Sequence, residues 1–104
     1  NVYIPPEMVL LGPGGFKKQI GGFNVERVGN TTRALALGEY CFAAAREHAM
    51  TRRQFGRPLM EFQGLQWKFA EMRVALDGAR LLLYRAAINA SRGLPDAQEV
   101  AIAK

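Results

Sequence analysis

Residues 52–59 read Arg-Arg-Gln-Phe-Gly-Arg-Pro-Leu and separate two long segments of the chain. From Asn24 to about Arg53 the sequence contains no proline and is rich in Ala, Leu, Arg and Glu. This pattern predicts one long helix, with Asn24 as its possible N-cap. The glycine and proline of residues 52–59 predict the end of that helix and a change of chain direction. The stretch therefore predicts the turn of a helical hairpin.

The segment after the turn has the apolar spacing of a second helix, from about Met60 to Ser91. One stripe, in steps of three and four, comprises Phe62, Leu65, Phe69, Met72, Leu76, Ala79, Leu83, Ala86 and Ala90. A second stripe comprises Trp67, Ala70, Val74, Leu81 and Ile88. We expect this helix to be covered on two sides, which a single partner helix cannot do.

Shorter elements flank the hairpin. Val2-Tyr3-Ile4 followed by two prolines predicts the end of a strand. Residues 16–20 predict one or two helical turns, which the glycine pair at 21–22 is expected to break. Asp96, with Glu99 three residues later, predicts the cap of a third helix.

The predicted fold class is all-α. Two long antiparallel helices form a hairpin over residues 24–92, a third helix starts near residue 96, and a strand remnant precedes them. Two helices of about 30 residues enclose little core, so the chain is expected to be part of a larger protein or a subunit that needs others.

The composition is that of a folded domain. The chain has 104 residues, 49% of them hydrophobic and 22% charged, which fits at most one domain. No apolar run approaches the roughly 18 residues of a membrane span, and residues 1–6 lack the features of a secretory signal, so no targeting address can be read. Cys41 and His48 are the sole residues of their types, so an internal disulfide and a Cys/His zinc site are excluded, and no metal site is predicted. We interpret Cys41 as a small buried hydrophobe and His48 as a partly exposed helix residue.

The formal charge of +5 favours a polyanion, a nucleotide or an acidic protein as the binding partner.

Two places could carry chemistry. Glu26 could act as a general base, or it could be an acid favoured by the dipole at the start of a helix. In the turn, Arg52, Arg53 and Arg57 surround Phe55, and these side chains suit phosphate oxygens and an aromatic heterocycle. The same arginines could equally form a solvated basic turn at a helix C-terminus. No glycine-rich phosphate loop of known spacing is present.

The chain resembles the acyl-CoA dehydrogenases, flavoproteins that introduce an α,β double bond into acyl-CoA thioesters. Residues 52–59, followed by Gln63 and Gln66, are similar to the family signature R-x-x-F-G-x-P-L-x-x-x-Q. Residues 3–16 resemble the family's exit from its middle β-domain. The resemblance covers essentially the whole chain. It implies that residues 1–15 end the middle β-domain and connect it, and that residues 16–104 form part of a C-terminal four-helix bundle.

The resemblance also implies roles for individual residues. Arg52 matches an arginine that reaches the FAD pyrophosphate of a neighbouring subunit. The positions that match the adenosine end of this cofactor are Phe55, Leu59 and Gln63, with Gln54 in place of a smaller residue.

A second set of implied roles lies at the start of the long helix. Glu26 stands where the isovaleryl and long-chain branches carry the base that removes the α-proton, whereas most of the family carry that base on a later helix. In a parent protein with the later glutamate, Glu26 would be a bystander. Asn24 and Arg27 match positions near the bound acyl-CoA.

The function implied for the parent protein is FAD-dependent oxidation of an acyl-CoA to the 2,3-enoyl-CoA. The implied partners are an electron-transfer flavoprotein or similar acceptor and further copies of the chain in a tetramer or dimer. The implied location is the bacterial cytoplasm or the mitochondrial matrix, and some relatives reduce, oxygenate or desulfinate instead.

The chain alone is expected to be inactive. One alternative is a non-catalytic helical fragment that self-associates through its apolar stripes without bound flavin. Another is a basic helical protein that binds nucleic acid. The sequence carries no recognition motif for nucleic acid, so we do not expect nucleic acid as a partner.

Overall fold

The computed structural model describes residues 2–90 and 93–104, and most of these residues are helical. The elements in chain order are a 3-10 turn at Pro6–Met8, α1 at Phe16–Thr51, β1 at Arg53–Gln54, β2 at Arg57–Pro58, a second 3-10 turn at Leu59–Glu61, α2 at Gln63–Ile88 and α3 at Ala97–Ala103. The predicted all-α class, with two long helices and the start of a third, is confirmed.

The first helix begins earlier than predicted. It starts at Phe16, directly after a turn in which Gly14 has a φ of 81°, and continues without a break through Gly21 and Gly22. Glycine weakens a helix by about 1 kcal/mol relative to alanine, but unlike proline it keeps the N–H that the helix needs. The predicted break at residues 21–22 is therefore wrong, and Asn24 lies inside the helix instead of capping it.

The later helix bounds are close to those predicted. The segment begins as a 3-10 turn before α2 starts at Gln63, and the end predicted at Ser91 lies outside the described residues. The cap of α3 is confirmed, because the Asp96 Oδ1 accepts hydrogen bonds from the backbone N–H of Gln98 at 2.9 Å and of Glu99 at 3.1 Å.

The strand remnant expected at Val2–Ile4 does not form a strand in this structure. A strand needs a neighbour for its hydrogen bonds, and the short β1 and β2 pair with each other at the turn instead.

The long helices pack as an antiparallel hairpin. Phe42 meets Phe69 edge to face, with ring centroids 5.8 Å apart, and one turn earlier on α1 Gly38 lies against Leu76. A Cβ at Gly38 would lie 2.8 Å from the Leu76 Cδ2, so glycine permits the close approach of α1 to α2. The buried apolar side chains of the described residues are Ala49, Leu83, Ala86 and Val100.

An ion-pair cluster also joins the two helices. The Arg73 guanidinium donates to both carboxylate oxygens of Glu39, at 2.8 and 3.0 Å, and to Asp77 at 2.6 Å. Arg80 bridges the same two acids. The hydrogen bond from Arg73 lowers the pKa of Glu39, and the two carboxylates raise the pKa of Arg73. The cluster fixes the rotation of α2 against α1.

The described chain is long and thin, measuring 73 × 33 × 17 Å with a radius of gyration of 21.6 Å. A compact chain of this length has a radius of gyration of about 13 Å. The accessible surface is 8347 Å², whereas a compact monomer of this mass exposes about 5,800 Å². The first stripe of α2 packs inward, and the second stripe is exposed, with Val74 72% and Ile88 80% accessible.

Two further observations concern the surface. Cys41 is exposed, so its interpretation as a buried residue is wrong; it lies on the open side of the α1–α2 contact, where no third helix of the described residues covers it. Among the described residues, every helix is either too short or too polar to cross a membrane.

Candidate functional site

The turn between α1 and α2 is a tight two-residue β-hairpin. Arg53 pairs with Pro58 and Gln54 with Arg57, leaving Phe55 and Gly56 as the loop. Both loop residues have positive φ, 50° and 80°, as a type I′ turn requires. This conformation is natural for glycine and unfavourable for phenylalanine.

Hydrogen bonds hold the turn against the helix ends. The Arg52 N–H donates to the His48 carbonyl at 2.8 Å, and the Arg52 carbonyl accepts from the Leu59 N–H at 2.9 Å. The Arg53 guanidinium donates to the Gly56 carbonyl at 2.9 Å. The backbone position of Arg52 is thus set from both sides, while its side chain stays exposed.

An open groove of about 500 Å³ runs from this turn along the start of α2. Its lining residues are Gln54, Phe55, Leu59, Phe62, Gly64, Leu65 and Lys68. The rings of Phe55 and Phe62 meet edge to face with centroids 6.4 Å apart. The Arg57 guanidinium carbon lies 4.1 Å from the centre of the Phe62 ring, a cation–π contact.

The structure brings together most of the residues proposed for the cofactor. Gln54, Phe55 and Leu59 line the groove, whereas Arg52 and Gln63 are exposed near it and do not line it. The roles of these five residues toward a cofactor stay predictions.

Four groove residues have no functional signal in the sequence, namely Phe62, Gly64, Leu65 and Lys68. Phe62 belongs to the predicted apolar stripe, and Lys68 carries no signal of its own. The spacing between Gly64 and Lys68, one helical turn, is the feature that could have placed Lys68 on the groove side of α2.

The groove suits an aromatic heterocycle that carries phosphate. Its walls are largely apolar and offer two phenyl rings for stacking, and its polar side chains are Gln54 and Lys68. The Arg57 guanidinium lies at the groove, and Arg52 adjoins it through its backbone bond to Leu59; guanidinium groups match phosphate oxygens in charge and shape. The residues present therefore fit the adenosine and pyrophosphate portion of FAD.

The second set of candidate residues lies far from the turn. Glu26 is exposed, Arg27 is half-buried and Asn24 is buried at 7% accessibility. The Asn24 side chain accepts from the Arg27 guanidinium and donates to the Pro95 carbonyl, both at 3.3 Å. At a rise of about 1.5 Å per residue, Glu26 and Arg52 are about 39 Å apart along α1. One chain thus carries two separate candidate sites.

Comparison with known proteins decides the family. Residues 13–104 match the family described as Acyl-CoA dehydrogenase, C-terminal domain. The chain belongs to the acyl-CoA dehydrogenase family. The resemblance carried by residues 52–59 is therefore confirmed.

The fold agrees with that of a solved family member. Butyryl-CoA dehydrogenase from Megasphaera elsdenii superposes with a TM-score of 0.87 at 36% identity, over 96% of this chain and 26% of that protein. The helical hairpin and the start of α3 are thus a family arrangement.

The relatives with similar sequences include two kinds of enzyme, desulfinases and acyl-CoA dehydrogenases. A 3-sulfinopropanoyl-CoA desulfinase of Variovorax paradoxus is 43% identical over 108 residues, covering 100% of this chain and 27% of that protein. The short-chain specific acyl-CoA dehydrogenase of Clostridium acetobutylicum is 38% identical over 105 residues, covering 100% of this chain and 28% of that protein. The chain spans about a quarter of the length of these relatives.

Proposed function

We propose that the chain is the helical segment of an FAD-dependent enzyme that oxidises an acyl-CoA thioester to the 2,3-enoyl-CoA. The observation that carries the proposal is the groove beside the Phe55–Gly56 turn, with its two phenyl rings and nearby guanidinium groups, in a chain of this family. The division into the end of a β-domain at residues 1–15 and a helical domain at residues 16–104 is part of the same proposal.

The separation of the two sites supports a homo-oligomer. About 39 Å of helix lies between Glu26 and Arg52, so the two residues are expected to serve different active centres. In this arrangement the turn of one subunit binds the cofactor of a neighbour, while Glu26 faces the acyl-CoA of its own centre. A dimer or a tetramer satisfies this requirement.

Each side chain then has a defined task. When bound, the flavin supplies an acceptor for a hydride. The Glu26 carboxylate takes the α-proton of the thioester, and the neighbouring Arg27 orients the substrate. Arg52 holds the pyrophosphate, and Phe55 and Phe62 contact the adenine ring. An electron-transfer flavoprotein or similar acceptor, and a location in the bacterial cytoplasm or mitochondrial matrix, complete the proposal.

The direct experiment replaces Glu26 by Gln in the full-length enzyme. Under anaerobic conditions, titration with acyl-CoAs is expected to bleach the flavin of the wild-type enzyme and to leave the flavin of Glu26→Gln oxidised, with FAD still bound. Glu47→Gln, an exposed position on the same helix, is the matched control and is expected to bleach normally. Normal bleaching by Glu26→Gln would contradict the assignment of the base.

A second candidate function is desulfination of a sulfinated acyl-CoA. It is favoured by the similarity to several 3-sulfinopropanoyl-CoA desulfinases, which are 39–43% identical to this chain. The same preparation distinguishes the two functions. Release of sulfite from 3-sulfinopropanoyl-CoA, without bleaching by saturated acyl-CoAs, would select desulfination over dehydrogenation.

A further inference from the structure

We propose that Asn24 is a positioning residue that holds the Arg27 guanidinium in place on α1 and ties this end of α1 to the start of α3. The inference rests on the proposed function, in which Arg27 orients the acyl-CoA. It gives Asn24 a role through Arg27 in place of direct contact with the substrate.

Burial is the first reason to assign Asn24 a specific task. Among residues 2–90 and 93–104, Asn24 is the one buried residue with a polar side chain. A buried amide is costly unless its donor and acceptor are both used. Here the Nδ2 donates to the Pro95 carbonyl and the Oδ1 accepts from the Arg27 Nη1, both at 3.3 Å.

The chemistry of the partners fixes the orientation of the amide. A guanidinium can only donate and a carbonyl oxygen can only accept, so the Oδ1 must face Arg27 and the Nδ2 must face Pro95. Both polar ends of the side chain are therefore engaged. Because the residue is also 7% accessible, little of the side chain is exposed for direct contact with the substrate.

The hydrogen bond from Asn24 to the Pro95 carbonyl joins residues that are 71 positions apart in the sequence. Pro95 lies directly before Asp96, the N-cap of α3, and it is half-buried. Its carbonyl lies outside the hydrogen-bonding ladder of the helix, and Asn24 supplies the donor it needs. The side chain that orders Arg27 thus also orders the entry to α3.

The same helix contains a matched pair without this link. The Asn30 Oδ1 accepts from the Arg33 Nη1 at 2.9 Å, with the same residue types at the same spacing six residues later. Both residues are exposed. The Asn30–Arg33 pair therefore serves as a control. It has the Asn–Arg hydrogen bond of the Asn24–Arg27 pair but lacks the burial and the hydrogen bond to Pro95.

The test uses Asn24→Leu and Asn24→Asp in the full-length enzyme, with Asn30→Leu as control. Asn24→Leu removes both hydrogen bonds and is expected to lower kcat/KM for acyl-CoA about tenfold. Asn24→Asp keeps an acceptor for Arg27 but places a carboxylate against the Pro95 carbonyl. It is expected to keep kcat/KM close to the wild-type value while lowering the melting temperature. Asn30→Leu is expected to change neither.

A double-mutant cycle with Arg27→Lys tests whether Asn24 acts through Arg27. If it does, Asn24→Leu has little further effect on kcat/KM in the Arg27→Lys background. Independent effects that multiply, or a loss of kcat/KM in Asn24→Asp as large as in Asn24→Leu, would overturn the inference. A wild-type enzyme that neither bleaches its flavin with acyl-CoA nor releases sulfite would instead overturn the proposed function, and the inference would fall with it.

Discussion

Phe55 occupies a backbone conformation that suits few side chains. Its φ of 50° lies in the left-handed region, which costs an ordinary residue roughly 1–2 kcal/mol. The side chain is 86% exposed, so burial does not offset this cost. The edge-to-face contact with Phe62 is worth about 0.5–1.5 kcal/mol, which offsets it only partly. An exposed ring held in an unfavourable conformation at the mouth of a groove supports our proposal that Phe55 contacts the cofactor.

Replacement of Phe55 by Asn should therefore separate stability from cofactor binding. Asn-Gly is a favoured type I′ loop, so the free energy of unfolding of the flavin-free protein is expected to stay constant or rise by about 1 kcal/mol. The flavin-to-protein ratio of the purified enzyme is expected to fall, because the stacking ring is lost. Phe55→Tyr, which keeps the ring, is the control and should retain flavin. Equal retention by both variants would contradict the role of the ring.

The position of the turn could be predicted from sequence, but its conformation and its neighbours could not. The glycine and proline of residues 52–59 indicate a chain reversal from local chemistry alone. Phe-Gly is not a usual type I′ pair, so the positive φ of Phe55 has no sequence signal. The one-turn spacing of Gly64 and Lys68 places them on one face of α2, but that this face borders the groove depends on how α2 packs beside the hairpin, which is a tertiary effect.

The ion-pair cluster between α1 and α2 should make the stability of the hairpin depend on pH. The pKa of Glu39 lies below its ordinary value of 4.5 because Arg73 stabilises the ionised carboxylate. Because the pKa of Glu39 is lower in the folded state, its ion pairs stabilise the fold fully above pH 4.5, the ordinary pKa. This stabilisation is lost as the pH falls through the lowered pKa of the folded state.

Glu39→Gln is accordingly expected to lower the thermal midpoint at neutral pH and to approach the wild type as the pH falls through the lowered pKa of Glu39. Circular dichroism of the two proteins across this range provides the measurement. Glu47→Gln, which removes a charge from the same helix without touching the cluster, should show no such convergence. A Glu39→Gln difference that is constant with pH would mean that the carboxylate charge contributes nothing.

The close approach of α1 to α2 predicts different outcomes for two glycines of α1. A methyl group added at Gly29 would meet open space, so Gly29→Ala is expected to stabilise the helix by about 0.8–1 kcal/mol. At Gly38 the same methyl group would lie 2.8 Å from the Leu76 side chain, so Gly38→Ala should gain less. Denaturant titration at fixed protein concentration measures the free energy of unfolding of both variants. In a Leu76→Ala background, which removes the side chain that a methyl group at Gly38 would meet, the two gains should become similar. Equal gains for Gly29→Ala and Gly38→Ala would show that the contact is loose.

The helices themselves are largely predictable, because the helical spacing of their apolar residues and the Gly and Pro residues at their ends are local features of the sequence. The start of α1 is not, because Gly21 and Gly22 resemble helix breakers locally, whereas the long helix around them tolerates their cost. The Glu39 cluster escapes prediction because its members are up to 41 positions apart in sequence.

The exposed apolar stripe of α2 has consequences for the isolated chain. The described structure exposes about 2,500 Å² more than a compact monomer of this mass would, and that area is comparable to a large protein interface. The two stripes of α2 predict a need for cover on two sides, and the structure covers one of them. The chain needs further protein surface to bury the other.

We expect the 104-residue chain to self-associate in solution, with a mass by light scattering well above 11.5 kDa. Val74→Lys, which places a charge in the exposed stripe, should shift the chain toward the monomer. Thr32→Lys adds the same charge at an exposed polar position of α1 and should leave the association unchanged. A monomeric wild-type chain with cooperative unfolding would show that the stripe needs no partner.

The assignment of the turn as a cofactor site is best tested by the flavin content of the full-length enzyme carrying Arg52→Ala. Loss of hydrogen bonds to a charged phosphate costs about 1.5–3 kcal/mol, so the Kd for FAD is expected to rise roughly ten- to a hundredfold. The visible absorption band should then fall relative to protein, while Arg46→Ala, an exposed arginine outside the turn, keeps it. An Arg52→Ala enzyme with a stoichiometric flavin band and an unchanged Kd would contradict the account.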